Sequence, residues 1–176
     1  MIMKLAIAVV VLLVALLGFA ATRPDAFRVQ RALSIKAPPD KIFPLIVDFH
    51  RWSLWSPWEK LDPAMKRTYS GPASGKGAVY EWEGNSQVGA GRMEIVEASA
   101  PSRVTVKLDF VRPFAGHNTA EFTLDPRGDS TDVAWIMRGR NAYVAKLMGV
   151  FVNVDRMIGK YFETGLANLK TATESH

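Results

Sequence analysis

Three histidines, a scatter of carboxylates and a tight run of tryptophans are the residues in this chain with the most chemistry to offer. His50, His117 and His176 lie far apart, and none sits in a metal-ligating or nucleophile-activating pattern. There is no HExxH, no GxSxG and no ordered Ser/His/Asp set. The chain has no cysteine, which removes thiolate nucleophiles, thiolate metal sites and disulfides together. Glu81, Glu83 and Glu121 fall on the outward phase of their segments, where they read as a solvated face, not as a paired-carboxylate acid/base site. "VGAGR" lacks the strand–loop–helix context of a dinucleotide fingerprint and reads as a turn, as does "RGD" at 127–129. No metal and no cofactor is expected, and no residue is assigned as catalytic.

The tryptophans lie in "HRWSLWSPWEKLDP", at positions 52, 55 and 58. Pro57 disfavours helical geometry at Ser56, so Trp52 and Trp55 sit one turn apart at a helix end and Trp58 follows after the chain has turned. Platforms that stack nucleic-acid bases set aromatics among cations. Here the neighbours are Glu59 and Asp62 against Arg51 and Lys60, so no nucleic acid is expected. The rings are expected to plug a corner between short helices and a sheet, with Trp52, Trp55 and Trp58 doubling as the mouth of a cavity. An alternative use of the corner is docking of a protein, of unknown identity.

What positions these residues follows from the remaining pattern. The chain has 176 residues, 48% of them hydrophobic and 22% charged, enough for one globular core. The net charge of +5 is dispersed and suits an anionic surface in general, such as lipid headgroups. Residues 5–21, "LAIAVVVLLVALLGFAA", contain no charge and would span roughly 26 Å as a helix, the short end of a bilayer crossing. Residues 1–22 are therefore read as a transmembrane anchor or a signal segment, with the run's length favouring a retained single span over cleavage after "GFA". Lys4 lies on one side of this run and Arg23, Arg28 and Arg31 on the other. The leader-like order favours a domain outside the cytoplasm, whereas the charge count argues the reverse. Residues 23–26 form a short linker.

From residue 27 the periodicity changes repeatedly. "FRVQRALSIK" alternates as a strand. "APPDKIFPLIVDF" places Ile42, Leu45, Ile46 and Phe49 three and four apart, with Pro38 and Pro39 at a helix start. Six more strands follow, in "MKRTYSG", "AVYEWEGN", "GAGRMEIVEA", "SRVTVKLDFV", "HNTAEFTLDP" and "TDVAWIMRG", joined by short loops suited to antiparallel neighbours. From Tyr143 to about Ala172 apolar residues recur at helical spacing, predicting an amphipathic helix of roughly 45 Å. Gly149, Gly159 and Gly165 weaken that helix and so are expected to serve close packing. The fold class is α+β: one strand, two short helices, six strands and a long C-terminal helix over a seven-stranded antiparallel sheet.

Alternation indicates what faces that helix. Tyr69, Tyr80, Trp82, Met93, Leu108, Phe110, Phe122, Trp135 and Met137 fall on the apolar phase of their strands. Phe151 and Ile158 come from the helix. Together they are expected to line a pliable apolar cavity. Arg31 and Asn118 share the inward phase and are the expected polar contacts for a ligand head group, because inward polar groups require partners.

This order of elements is that of the helix-grip fold, and the local residues agree. "FRVQRALSIKAPPDKIFPLIVDFHRWSLWSPWE", "YSG", "GKGAVYEWEGN", "VGAGRMEI" and "MIGKYFETGLANLK" resemble the polyketide cyclase/dehydrase and lipid-transport superfamily, the START-related or SRPBCC proteins. They are most similar to a bacterial branch whose members often carry an N-terminal apolar segment. The resemblance covers residues 27–172 and implies the fold for 27–176, but it does not fix chemistry. It implies binding of an apolar small molecule or lipid by a carrier domain, non-catalytic, tethered through residues 5–21 to a bacterial inner membrane as a single-pass protein with its domain on the periplasmic side. The alternative it offers is a cyclase/dehydrase-like enzyme acting on an apolar carbonyl substrate, with Asn118, Arg31 or a tyrosine polarising the carbonyl.

Overall fold

A computed structural model describes residues 2–141, 146–147, 149–150 and 152–175. The apolar N-terminal run forms α1, Ile2–Ala21, a helix long and apolar enough to cross a membrane, although a signal sequence has the same make-up. Residues 22–25 lead into β1, Ala26–Ile35, whose Val29 and Ile35 point into the core.

Helix α2, Pro39–Val47, begins behind an extended Pro38 with Asp40 in its first turn. Pro44 lies inside the helix and removes one backbone donor, and the helix ends three residues later. Asp48 then accepts from the His50 amide at 2.9 Å and starts a 3₁₀ turn, Phe49–Leu54. After Pro57 comes the short α3, Trp58–Leu61.

The strands follow as β2 Lys66–Ser70, β3 Val79–Glu83, β4 Ala90–Ser99, β5 Arg103–Arg112, β6 Gly116–Arg127 and β7 Ser130–Arg140. They form one sheet in the order β1-β7-β6-β5-β4-β3-β2, antiparallel throughout. A β-bulge between Ile95 and Glu97 breaks the β4–β5 register. The seven expected strands and the two short helices after the first are all present.

The last helix, α4, covers Val154–Glu174 and is 21 residues long, about 32 Å. The helix expected from Tyr143 thus starts eleven positions late; Tyr143 itself lies outside the described residues. Lys146 and Leu147 are helical, but Gly149 and Val150 form a turn. Asn153 then caps a new helix by accepting from the Arg156 amide at 2.9 Å. Periodicity alone carries no sign of that cap. Two of the glycines, Gly159 and Gly165, do serve close approach. A Cβ on Gly159 would run into the Arg31 guanidinium, and one on Gly165 would lie 2.8 Å from the Trp135 ring.

One end of this assembly is closed. Ile35, Ile42, Leu124, Leu166 and Leu169 are at most 1% exposed. Lys36 donates its amide to Glu174 at 2.8 Å, and Thr131 donates to the Ala37 carbonyl at 2.7 Å, so the tail of α4 and the start of α2 are fastened to the same sheet end.

Candidate functional site

The tryptophan corner is built on an unmet need of α2. The last carbonyls of a helix lack intrahelical donors. The indole N–H of Trp55 donates to the Leu45 carbonyl at 2.8 Å and that of Trp52 to the Ile46 carbonyl at 2.9 Å, which caps α2 with two buried rings. Asn168 of α4 donates to the Trp55 carbonyl at 3.0 Å and ties the helix to this corner. Trp52 and Trp55 are buried, so they offer no surface for a partner to dock on.

Beyond the corner, toward the start of α4, the layers separate. α4 rests chiefly on β1, with lighter contact to β7 and α2, so β3–β5 face its first turns only across a gap. The gap is a cavity of about 300 Å³. That is the lower end of the range for small-molecule sites, roughly 300–1,000 Å³. Its sheet side is Tyr80, Trp82, Met93, Leu108, Phe110, Ala120, Trp135 and Met137; its helix side is Met157, Ile158, Tyr161 and Phe162. Trp52 lines it at the tryptophan corner and Trp58 beside Tyr161, and the exposed Ser86, Gln87, Arg112 and Pro113 lie on its rim.

The aromatic rings hold one another in place. Trp135 stacks on Phe162 with centroids 4.1 Å apart and planes 4° apart, and Trp58 stacks on Tyr161 at 5.6 Å. On the opposite wall Trp82 meets Phe110 edge-on at 5.8 Å and fixes its own N–H on the Val88 carbonyl at 3.0 Å.

Two polar features interrupt the apolar lining. The first is Glu59 of α3, whose side chain is only 8% exposed. It accepts from the Tyr80 hydroxyl at 2.6 Å and from Arg67 Nε at 2.7 Å. Arg67 is held in turn by the Met65 carbonyl at 2.6 Å. Burial, and then the hydrogen bond to Glu59, push the Tyr80 phenol well above the ordinary tyrosine range. The bond to Glu59 likewise raises Arg67. A carboxylate anchored by a guanidinium and a phenol is held in one orientation; it presents hydrogen-bond acceptors at the cavity wall. The second feature is Trp135 Nε1, a buried donor with no partner among the described residues. Buried indole N–H groups usually find an acceptor, and this ring lines the cavity.

Of the residues expected to line a cavity, Tyr80, Trp82, Met93, Leu108, Phe110, Trp135, Met137 and Ile158 come together around it. The others are elsewhere. Tyr69 lies between Tyr80 and His50, stacked on the latter at 4.1 Å, and borders a separate hollow with Pro72. Phe122 is fully buried behind Trp135, 4.9 Å away. Phe151 lies outside the described residues. Arg31 is not in the cavity, because α4 supplies its partners: Nε bonds Glu163 at 2.7 Å and Nη2 bonds Asp155 at 3.1 Å. Asn118 is on the expected face but at the strand's beginning, beside Gly139 and Phe27 and away from the cavity wall. Trp52 and Trp55 belong to the closed end, not to the mouth; Trp58 alone of the three reaches toward the opening, through Tyr161.

Glu59, Met157, Tyr161 and Phe162 were not anticipated. For Glu59 a signal existed, since Arg67 shares the inward phase of Tyr69 and an inward guanidinium requires an acid.

A family model described as polyketide cyclase / dehydrase and lipid transport matches residues 26–174. No curated protein matches this chain in sequence. Among solved structures, a protein from Chromobacterium violaceum is 15% identical with a TM-score of 0.59, over 86% of this chain and 99% of its own. The Aha1 dimer from Colwellia psychrerythraea is 16% identical with a TM-score of 0.56, over 84% and 96%. The di-domain ARO/CYC BexL from the BE-7585A biosynthetic pathway is 13% identical with a TM-score of 0.63, over 90% of this chain and 53% of its own. At such identities the likeness is one of fold.

Proposed function

The chain belongs to the polyketide cyclase/dehydrase and lipid transport family, and from that footing we propose that it is a membrane-tethered binding or carrier domain for an apolar small molecule or lipid. The observation that carries the proposal is the void of about 300 Å³ under the first turns of α4, lined mostly by aromatic and methionine side chains. The guest has an apolar body. It also carries one hydrogen-bond acceptor for the Trp135 N–H, and a hydroxyl or other donor suits the free lone pairs of Glu59. Helix α1 would retain the chain in the bilayer, and the periplasmic face of a bacterial inner membrane is the proposed location. Labelling of a single engineered cysteine in intact cells reads the side; a cysteine reached only after lysis would contradict it.

The test is a mass spectrum of the organic extract of the purified full chain beside that of Ala120→Leu, which puts a larger side chain into the void. Bulk lipid held by α1 is common to both. An apolar species present in the first and missing from the second supports the carrier reading; identical extracts contradict it.

A second reading is favoured by one observation, the titratable pair Glu59 and Tyr80 in the cavity wall. It is a cyclase/dehydrase-like enzyme in which Tyr80 donates to a substrate carbonyl. A phenol whose ionisation is suppressed is a weak acid, and the carboxylate is already engaged by Arg67, so binding is the better-supported role. Conversion of a guest by the wild type but not by Tyr80→Phe, with the guest still bound, would reverse that order.

A further inference from the structure

Large apolar side chains exposed among the described residues outside α1 are few and unevenly placed. Val111 and Phe114, at the tip of the β5–β6 hairpin, are 64% and 62% exposed. Val152, Met157 and Tyr161, around the start of α4, are 40%, 51% and 37% exposed; only Leu54 and Val96 lie elsewhere. The sheet register gathers the first group at one end. Ala26 pairs with Arg140, Gly139 with Asn118, Gly116 with Phe110 and Arg112 with Ala90, so the hairpin tip lies at the end where the chain enters β1. α4 also begins there, since Asp155 in its first turn holds Arg31 while Glu174 at its far end meets Lys36.

That end is also where α1 is attached. Residues 22–25 join the two, so Ala21 and Ala26 are at most about 18 Å apart along an extended chain. Any bilayer holding α1 therefore lies within that distance of the β1 start, whichever way the helix tilts. The charge there is complementary to anionic headgroups. Arg23, Arg28, Arg112, Arg140 and Lys146 cluster at this end, and acids there are paired with cations: Asp25 with Lys146, Glu83 with Arg112, Asp109 with Lys107 and Asp155 with Arg31. Arg112 and Pro113 of the hairpin and Met157 and Tyr161 of α4, all exposed, also line the cavity, which places its opening in this apolar, cation-flanked rim.

We infer that this end of the domain docks on the bilayer that holds α1, with Val111 and Phe114 entering the interface so that the cavity opens into the lipid. Guests then pass between leaflet and cavity without crossing bulk water. The inference rests on the tethering reading above, and the test separates the two. The chain has no cysteine, so Phe114→Cys and Ser102→Cys, the latter in the turn at the opposite sheet end, each carry one environment-sensitive NBD label. The full chain is reconstituted into phosphatidylcholine/phosphatidylglycerol vesicles with and without lipids spin-labelled in the acyl chain. Docking is supported by blue-shifted emission at position 114 that the spin-labelled lipids quench by half or more, with position 102 unaffected. A chain that floats with the vesicles but leaves position 114 as wet as position 102 keeps the tether and overturns the docking. A chain that does not float with the vesicles overturns both. A blue shift at 114 that follows protein density and ignores the spin-labelled lipids assigns the face to a second copy of the chain and also overturns the docking.

Discussion

Under the last turns of α4, Leu166 and Leu169 join Ile35, Ile42 and Leu124 in a core without exposed surface. Under its first turns, Met157 and Tyr161 look across a void toward Leu108 and Phe110. The two regions share one helix, one sheet and much the same side-chain types. They differ in what stands between the layers. At the closed end α2 and its tryptophan caps fill the space; at the open end nothing among the described residues takes that place, because α4 rests on β1 while β3–β5 stand off from it. On the proposed reading, stability and binding are divided along the length of a single helix. The filled end holds the fold, and the hollow end is free to accept a guest.

Truncation at the two ends breaks this comparison most directly. Trp55→Ala removes a ring with no exposure and uncaps the Leu45 carbonyl. It should cost about 3–5 kcal/mol in urea denaturation. Glu59→Gln, at the boundary between the regions, leaves Arg67 without its acid partner and should cost about 2–3 kcal/mol. The same boundary has a pH signature. Because Tyr80 is raised in the folded state, its contribution is complete below the unfolded tyrosine value, about 10, and is lost as pH rises beyond it. Tyrosinate absorbance should show one phenol that ionises only with unfolding, and Tyr80→Phe should abolish that step.

Smaller effects are expected inside the hollow region. Phe110→Ala, a truncation of the same kind as Trp55→Ala, should cost only about 1 kcal/mol, since the removed ring borders a void that already exists. Ala120→Leu should change stability by less than about 1 kcal/mol, since the added carbons enter space already empty, yet weaken guest binding tenfold or more. If Phe110→Ala cost as much as Trp55→Ala, the distinction between filled and hollow ends would fail.

The strands and the face each side chain presents were legible in the sequence, because alternation is a local property. Tyr80, Trp82, Met93 and Met137 were readable in this way. Position along the sheet was not. Asn118 and Phe122 share the inward phase with Ala120, but only Ala120 borders the cavity, and the difference depends on where α4 crosses. Arg31 misled for a related reason: its partners, Asp155 and Glu163, are more than a hundred residues away. The start of α4 was hidden by the apolar spacing that continues upstream of the Asn153 cap. Glu59 was concealed in a polar stretch after the tryptophans, although the inward phase of Arg67 pointed to it.

The most direct test of a guest-accepting void is photo-crosslinking of the full chain in lipid nanodiscs with a diazirine-bearing fatty acid, followed by peptide mapping. Cross-links on Met93, Leu108, Met137 or Phe162 that disappear in Ala120→Leu are the expected result. Cross-links confined to residues 2–21, unchanged by that substitution, would contradict it.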